Sequence, residues 1–222
     1  MNRTTEFDKL FKKNITHYKQ HKQMIPFVGK HWGKYKKLLI IGESHYLPKS
    51  SLKRTIKNWY ELTTSDLNED EIGWTSTAKI VDECQKYNSP RLYIILNKAI
   101  MDSGFEPENT ENVLQYVSFM NFFQRPAQKT CKSIIHNDED VLIANTVLKG
   151  VCSIIKPDYI FFISSKAYDV SDIEKITVGH SCHPACPWWN KKAKTNSFAT
   201  PKRPLTGKES FIKFIRKNEI FG

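Results

Sequence analysis

Short runs of consecutive apolar residues alternate along this chain with longer stretches in which apolar residues recur every three or four positions. The runs predict strands that are buried on both faces, and the longer stretches predict amphipathic helices. Strands are expected at residues 37–41, 113–123, 158–163 and 175–179. Helices are expected from Phe7 to Tyr18, around residues 51–62 and 76–87, after Pro90, over 138–156, briefly at 164–167 and around 211–215.

Strands that alternate with helices predict an α/β fold, because helical crossovers place parallel strands side by side and cover both faces of the sheet. The expected architecture is a three-layer α/β/α sandwich around a mostly parallel four-stranded sheet. A chain of 222 residues without an evident linker fits a single domain. Residues 1–35 are interpreted as an N-terminal helical extension of that domain.

Polar side chains follow three of the predicted strands. Glu43, Ser44 and Tyr46 come directly after the first strand, Asn121 lies near the end of the second, and residues 180–190 follow the fourth. Ligands of open α/β sheets bind beyond the carboxyl ends of the strands. These segments are therefore expected to converge on one cleft, although they lie far apart in the sequence.

Charge and composition narrow the class of partner. Lys and Arg outnumber Asp and Glu by 34 to 23, a net charge of +11, which favours a polyanionic partner such as nucleic acid or an anionic surface; a solvated basic surface without a specific partner is the open alternative. The mean hydropathy is −0.50, and no apolar run approaches the ~18 residues of a membrane span. The N-terminus has no secretory pattern, and five cysteines lack a disulfide framework, so a cytoplasmic protein is expected.

Five segments, in this order along the chain, resemble motifs of the uracil-DNA glycosylase superfamily. The segment 38–46 is similar to the family's strand and water-positioning loop, and 177–185 is similar to its late strand and His-Pro loop. Between them, 117–121 resembles the strand that ends in a base-reading Asn, and 155–167 resembles the family's helix, strand and Lys-Ala turn. Residues 207–211 are similar to the start of its closing helix. The resemblance covers roughly residues 36–215.

The resemblance implies hydrolysis of the N-glycosidic bond of a deaminated base that has been flipped out of DNA. Glu43 matches the branch whose motif begins Gly-Glu and is the expected base or electrostatic stabiliser, whereas the best-known branch has Asp where this chain has Ser44. His183 is expected to stabilise charge on the departing base, Asn121 to read its edge and Tyr46 to form a pocket wall.

The remaining DNA contacts are expected from residues beside these motifs. Phe122 or Phe123 is predicted to stack on the base. The segment after the His-Pro loop is predicted to supply an apolar wedge and phosphate contacts: Trp188, Trp189, Lys191 and Lys192. Single-stranded or mismatched duplex DNA is the expected partner, and the protein is expected to be a monomer.

Each of these residues also has a structural interpretation. Glu43 can cap a following helix, and Asn121 can be a buried amide that ties two loops together. Tyr46 and the two Phe residues can belong to the core, and the Trp pair can form a lid over the end of the sheet.

Other functions remain open from the sequence. The chain can be a catalytically silent nucleic-acid-binding module on the same fold, since Ser44 replaces the Asp. It can be a serine hydrolase in which His183 or His180 activates Ser44, although the Gly of a nucleophile elbow is missing two positions later. Four possible zinc ligands, His180, Cys182, His183 and Cys186, are crowded into one loop. No metal is the favoured expectation, and the cysteine spacing predicts no iron–sulfur cluster.

Overall fold

A five-stranded sheet organises the computed structural model, which describes residues 1–51, 56–108, 112–192 and 205–222, apart from the side chain of Gln85. The strands are β1 (Phe27–Val28), β2 (Leu38–Gly42), β3 (Ser118–Asn121), β4 (Tyr159–Phe162) and β5 (Thr177–His180). Their order across the sheet is β1-β3-β2-β4-β5. β1 runs antiparallel to β3, and the other neighbours are parallel.

β2 lies between β3 and β4, and all five of its residues are buried. A strand covered on both faces needs apolar side chains at every position, which explains the unbroken apolar run of its sequence. The register pairs Gly42 with Asn121, Ile41 with Phe162, and Phe162 with His180. The carboxyl ends of the four parallel strands are therefore aligned at one edge of the sheet.

Eight α-helices occur in the described residues. They are α1 (Asp8–Asn14), α2 (Thr16–Gln20), α3 (Glu69–Thr75), α4 (Thr77–Tyr87), α5 (Arg91–Met101), α6 (Asp138–Ile155), α7 (Ser165–Asp169) and α8 (Gly207–Lys217). Capping boxes begin α6 at Asn137 and α8 at Thr206, where each cap side chain accepts a backbone N–H of the first turn. None of the described helices is long and apolar enough to cross a membrane.

The α/β class and the mostly parallel sheet are confirmed, and helices that pack against β1, β3, β4 and β5 are compatible with three layers. The predicted strand count was wrong, because β1 contains two residues and is too short to produce a pattern. The second strand is also shorter than predicted, since Val113–Tyr116 forms a 3₁₀ helix. The helix expected around residues 51–62 lies partly outside the described residues, and Trp59–Glu61 within it is 3₁₀.

Residues 1–35 are built into the sheet and the core rather than added to them. The predicted opening helix is interrupted at Ile15, whose φ of −111° and ψ of 113° are extended. Phe11, Ile15 and Tyr18 are at most 5% exposed, and β1 supplies an edge strand. The segment therefore contributes to the stability of the whole domain.

Three histidines are buried in the fold without an acidic hydrogen-bond partner among the described residues. The rings of His17 and His21 lie 4.7 Å apart, and His21 stacks on Trp59 at 4.6 Å. Nε2 of His45 lies 2.7 Å from Oγ1 of Thr77. Burial, the largest cause, lowers the pKa of His17 to about 3 and the pKa values of His21 and His45 to about 4.

We expect the folded protein to lose stability as the pH falls from about 6.5 towards about 4. In that window the unfolded chain binds protons at these histidines and the folded chain does not, so acid favours unfolding, and each histidine adds about 1.4 kcal/mol per pH unit to the slope. Urea unfolding at several pH values measures this, with His17→Phe as the comparison. Identical slopes for the two proteins would contradict the assignment.

Candidate functional site

The loops that follow the parallel strands meet at the carboxyl edge of the sheet. Backbone hydrogen bonds continue the ladders beyond the strand ends: the Phe123 N–H donates to the Glu43 carbonyl at 2.9 Å, and the Ser181 N–H donates to the Phe162 carbonyl at 2.8 Å. These bonds hold the loops in the register of the strands. The predicted convergence of the segments after β2, β3 and β5 on one edge is therefore observed.

Glu43 stands at the start of the loop after β2 and is partly exposed. Its Oε1 accepts hydrogen bonds from Oγ of Ser133 at 2.6 Å and from the Ile134 N–H at 3.1 Å. Its Oε2 accepts from Oγ of Ser164 at 2.9 Å. Both carboxylate oxygens are thus oriented by donors from the loops after β3 and β4, and no motif in the sequence indicates these donors.

His183 lies close enough to Glu43 to be influenced by its charge. Nδ1 of His183 accepts the Ala185 N–H at 3.1 Å, so in the neutral ring the proton is on Nε2. Burial lowers the pKa of His183, and the Glu43 carboxylate acts in the opposite direction. The ring is therefore a neutral donor within electrostatic range of the Glu43 carboxylate.

Asn121 ends β3 directly opposite Gly42. It is 7% exposed, and its backbone carbonyl accepts from Nε2 of Gln124 at 2.7 Å. Its side-chain amide has no hydrogen-bond partner within the described parts of the chain. A Cβ at residue 42 would collide with Oδ1 of Asn121 and approach Cζ of Phe119 to 2.8 Å, so glycine at this position makes room for the amide.

Ser44 and Tyr46 lie on the same loop as Glu43 and are both partly exposed. Burial raises the pKa of Tyr46, and the charges of Glu43 and Cys131 act in the same direction. Its role as a pocket wall stays a prediction. Ser44 forms no hydrogen bond with His183 among the described residues, so the geometry does not supply His183 as the base that this version of the serine-hydrolase hypothesis requires.

The aromatic pair after Asn121 belongs to the core, and the prediction that one of these rings stacks on a base was wrong. Phe122 and Phe123 are 0% exposed. Phe122 packs edge-on against Phe162, and Phe123 stacks on His136 with centroids 5.0 Å apart. Neither ring has a face open to a ligand. Their burial removes apolar surface from water, which stabilises the folded state.

Some of the predicted DNA contacts after the His-Pro loop are buried and others are exposed. Trp189 is 0% exposed and packs against Phe211 at 6.2 Å, so the prediction that it is an exposed wedge was wrong. Trp188 is partly buried against the core. Lys191 and Lys192 are exposed at this edge and can contact phosphates.

The four possible zinc ligands do not converge. His180 stacks on Tyr168 with centroids 3.9 Å apart, while Sγ of Cys182 faces Gly207. Nδ1 of His183 is directed to the Ala185 N–H. Within the described residues no group of three or more His, Cys, Asp or Glu side chains is arranged to hold a metal ion.

Positive charge is concentrated at this edge. The loop segments 43–51, 122–137 and 181–192 contain one acidic residue, Glu43, and six basic residues: Lys49, Arg125, Lys129, Lys132, Lys191 and Lys192. Arg125 is paired with Asp140, the carboxylate of Glu209 on α8 lies within electrostatic range of Lys192, and all five lysines are exposed. The edge therefore attracts anions around a single carboxylate.

The Arg125–Asp140 ion pair fixes the loop after β3. Nε and Nη2 of Arg125 donate to the two Asp140 oxygens at 2.6 and 2.7 Å, and Asp140 is fully buried. Oη of Tyr60 also donates to Asp140, at 2.8 Å. A cavity of about 320 Å³ opens beside this pair, but its lining includes none of Glu43, Asn121 and His183, so we do not identify it with the site.

In comparisons with known proteins, no protein-family model matches this chain, and no curated protein matches its sequence significantly.

We expect Gly42→Ala to destabilise the protein by about 1–3 kcal/mol, because the added methyl group overpacks the contact with Asn121 and Phe119. Gly73→Ala is the control, since a Cβ there meets no atom within 4 Å and alanine favours the helix. Urea unfolding gives both values. In an Asn121→Ala background the cost of Gly42→Ala should be smaller, and an unchanged cost would contradict the proposed crowding.

We expect Arg125→Met to cost about 3–5 kcal/mol in the free energy of unfolding, because it leaves the Asp140 carboxylate buried and unpaired. The double variant Arg125→Met/Asp140→Asn removes both charges and keeps a polar cap at α6, so it should be less destabilised than the single variant. Thermal or urea unfolding tests the order. A double variant at least as unstable as Arg125→Met would show that the unpaired charge is not the source of the loss.

Proposed function

We propose that this protein is a uracil-DNA glycosylase-like enzyme that hydrolyses the N-glycosidic bond of a flipped, deaminated base in DNA. The observation that carries the proposal is the meeting of Glu43, Asn121 and His183 at one edge of the sheet. Each belongs to a different motif of the resemblance, and each follows or ends a different parallel strand. The proposal includes the finer fold class, a uracil-DNA glycosylase-like α/β/α sandwich.

The chemistry requires a negative group near the sugar and a donor near the base. As the N-glycosidic bond breaks, positive charge develops on the sugar and negative charge on the departing base. Glu43 supplies the fixed carboxylate, and the neutral ring of His183 offers Nε2–H to a carbonyl oxygen of the base. Since both Glu43 oxygens already accept hydrogen bonds, its role is electrostatic stabilisation rather than proton transfer.

Asn121 supports recognition of a base edge. An amide offers one donor group and one acceptor, which suits the paired acceptor and donor of a pyrimidine edge. The Asn121 amide forms no hydrogen bond within the described residues, so its donor and its acceptor are left for a ligand. Tyr46, which lies on the same loop as Glu43, is the proposed wall of the base pocket.

The charge at the edge supports a DNA substrate. The loops at this edge carry five exposed lysines and one carboxylate, so the proposed site attracts phosphates to its rim while Glu43 acts on the sugar. Single-stranded or mismatched duplex DNA is the proposed substrate, because an unpaired base is the least costly to extrude. A cytoplasmic, monomeric protein remains the expectation.

A silent nucleic-acid-binding module is the second candidate, and two observations favour it. Ser44 stands where the best-known branch has its Asp and cannot act as a carboxylate base. Phe122 and Phe123 are buried and unavailable to stack on a flipped base. Such a module would bind DNA through the same basic edge and leave it intact.

Alkali-induced strand cleavage tests the proposal on single-stranded and mismatched duplex DNA carrying uracil, hypoxanthine or xanthine. We expect the wild type to cleave at least one substrate, and Glu43→Gln and His183→Ala each to lower the rate by about two orders of magnitude, the usual loss for one catalytic group. Asn121→Ala should mainly change the preference among bases. Glu174→Gln, an exposed acid in the loop before β5, is the matched control and should be fully active.

Two other outcomes separate the alternatives. Salt-sensitive DNA binding without cleavage of any substrate would favour the silent module. The absence of both cleavage and binding would refute a nucleic-acid function for this edge.

A further inference from the structure

Ile135 is an exposed apolar side chain on the loop after β3. It is 74% exposed, whereas the preceding residue, Ile134, is 0% exposed. Ile134 therefore anchors the loop in the core, and Ile135 projects outwards next to that anchor. Exposure of a branched apolar side chain is unfavourable in water, although single cases are common on protein surfaces.

The backbone of Ile135 is held more firmly than an ordinary surface residue. Its N–H donates to Oε1 of Gln128 at 2.9 Å, and its carbonyl accepts from Nη2 of Arg125 at 2.9 Å. Arg125 is itself fixed by its ion pair with Asp140. The exposed side chain is thus presented on a preorganised loop, which lowers the entropy lost when it meets a partner.

The loop places Ile135 beside the candidate catalytic carboxylate. The two preceding residues, Ser133 and Ile134, are the donors to Oε1 of Glu43. Two exposed cations, Lys129 and Lys132, lie on the same loop. An apolar tip flanked by positive charge is complementary to a base stack flanked by phosphates.

We propose that Ile135 is the apolar wedge that enters duplex DNA beside the flipped nucleotide. The inference rests on the proposed function and assigns to the loop after β3 the role that Trp189 is too buried to perform. A wedge between base steps replaces the lost stacking and holds the duplex open while the base lies in the pocket. Single-stranded DNA needs no such wedge.

The test compares Ile135→Ala with wild type on a uracil-containing single strand and on the matched duplex. We expect the duplex rate to fall at least about tenfold and the single-strand rate to stay within about twofold, because the wedge acts on stacked bases alone. Ile135→Leu should keep most of the duplex rate. Leu142→Ala is the matched control, since Leu142 is 69% exposed on α6 and holds no donor to Glu43.

Fluorescence of 2-aminopurine placed next to the target base reports unstacking without cleavage. Wild type should raise the signal in duplex DNA, and Ile135→Ala should lose most of that rise. Equal losses on both substrates, or no change on the duplex, would overturn the wedge and leave the proposed function standing. The wedge would also be overturned if the wild-type protein cleaved the single strand but did not unstack the duplex. If the wild-type protein neither cleaved nor bound DNA, the proposed function itself would be refuted.

Discussion

The buried ion pair between Arg125 and Asp140 is the interaction on which the carboxyl edge depends. Removing two charges from water is costly, and the pair is tolerable because the Asp140 carboxylate also accepts from Oη of Tyr60 and from the Asn137 N–H. The same bonds join the start of α6 to the loop after β3. That loop in turn carries Ser133, so the orientation of Glu43 depends on a charge pair that forms no hydrogen bond with Glu43, Asn121 or His183.

The sequence was sufficient to predict the α/β class and the mostly parallel sheet. A short run of consecutive apolar residues such as Leu38–Ile41 is typical of a strand that is buried on both faces. The apolar residues of α6 recur at helical spacing and so bury one face of a helix. The misses arose where an element is too short to be periodic, as in β1, or where apolar residues precede a strand without belonging to it, as in Val113–Tyr116.

The candidate site was predictable in part, for a related reason. The position of Glu43, Asn121 and His183 follows from the rule that parallel strands end at one edge, and the rule requires no knowledge of side-chain direction. Whether Phe123 or Trp189 faces solvent or core depends on that direction, and an aromatic ring is suited to both. The donors to Glu43 could not be predicted, because Ser133 and Ser164 carry no pattern that links them to a carboxylate distant in the sequence.

Gly42 and Asn121 occupy complementary space across two neighbouring strands, one giving up a side chain where the other places its amide. A lineage that keeps the amide in this position is therefore expected to keep the glycine, and a side chain at residue 42 requires the amide to move or to be lost. Among distant relatives, this pair should change together or not at all. That joint inheritance is a marker of kinship that overall sequence similarity does not register.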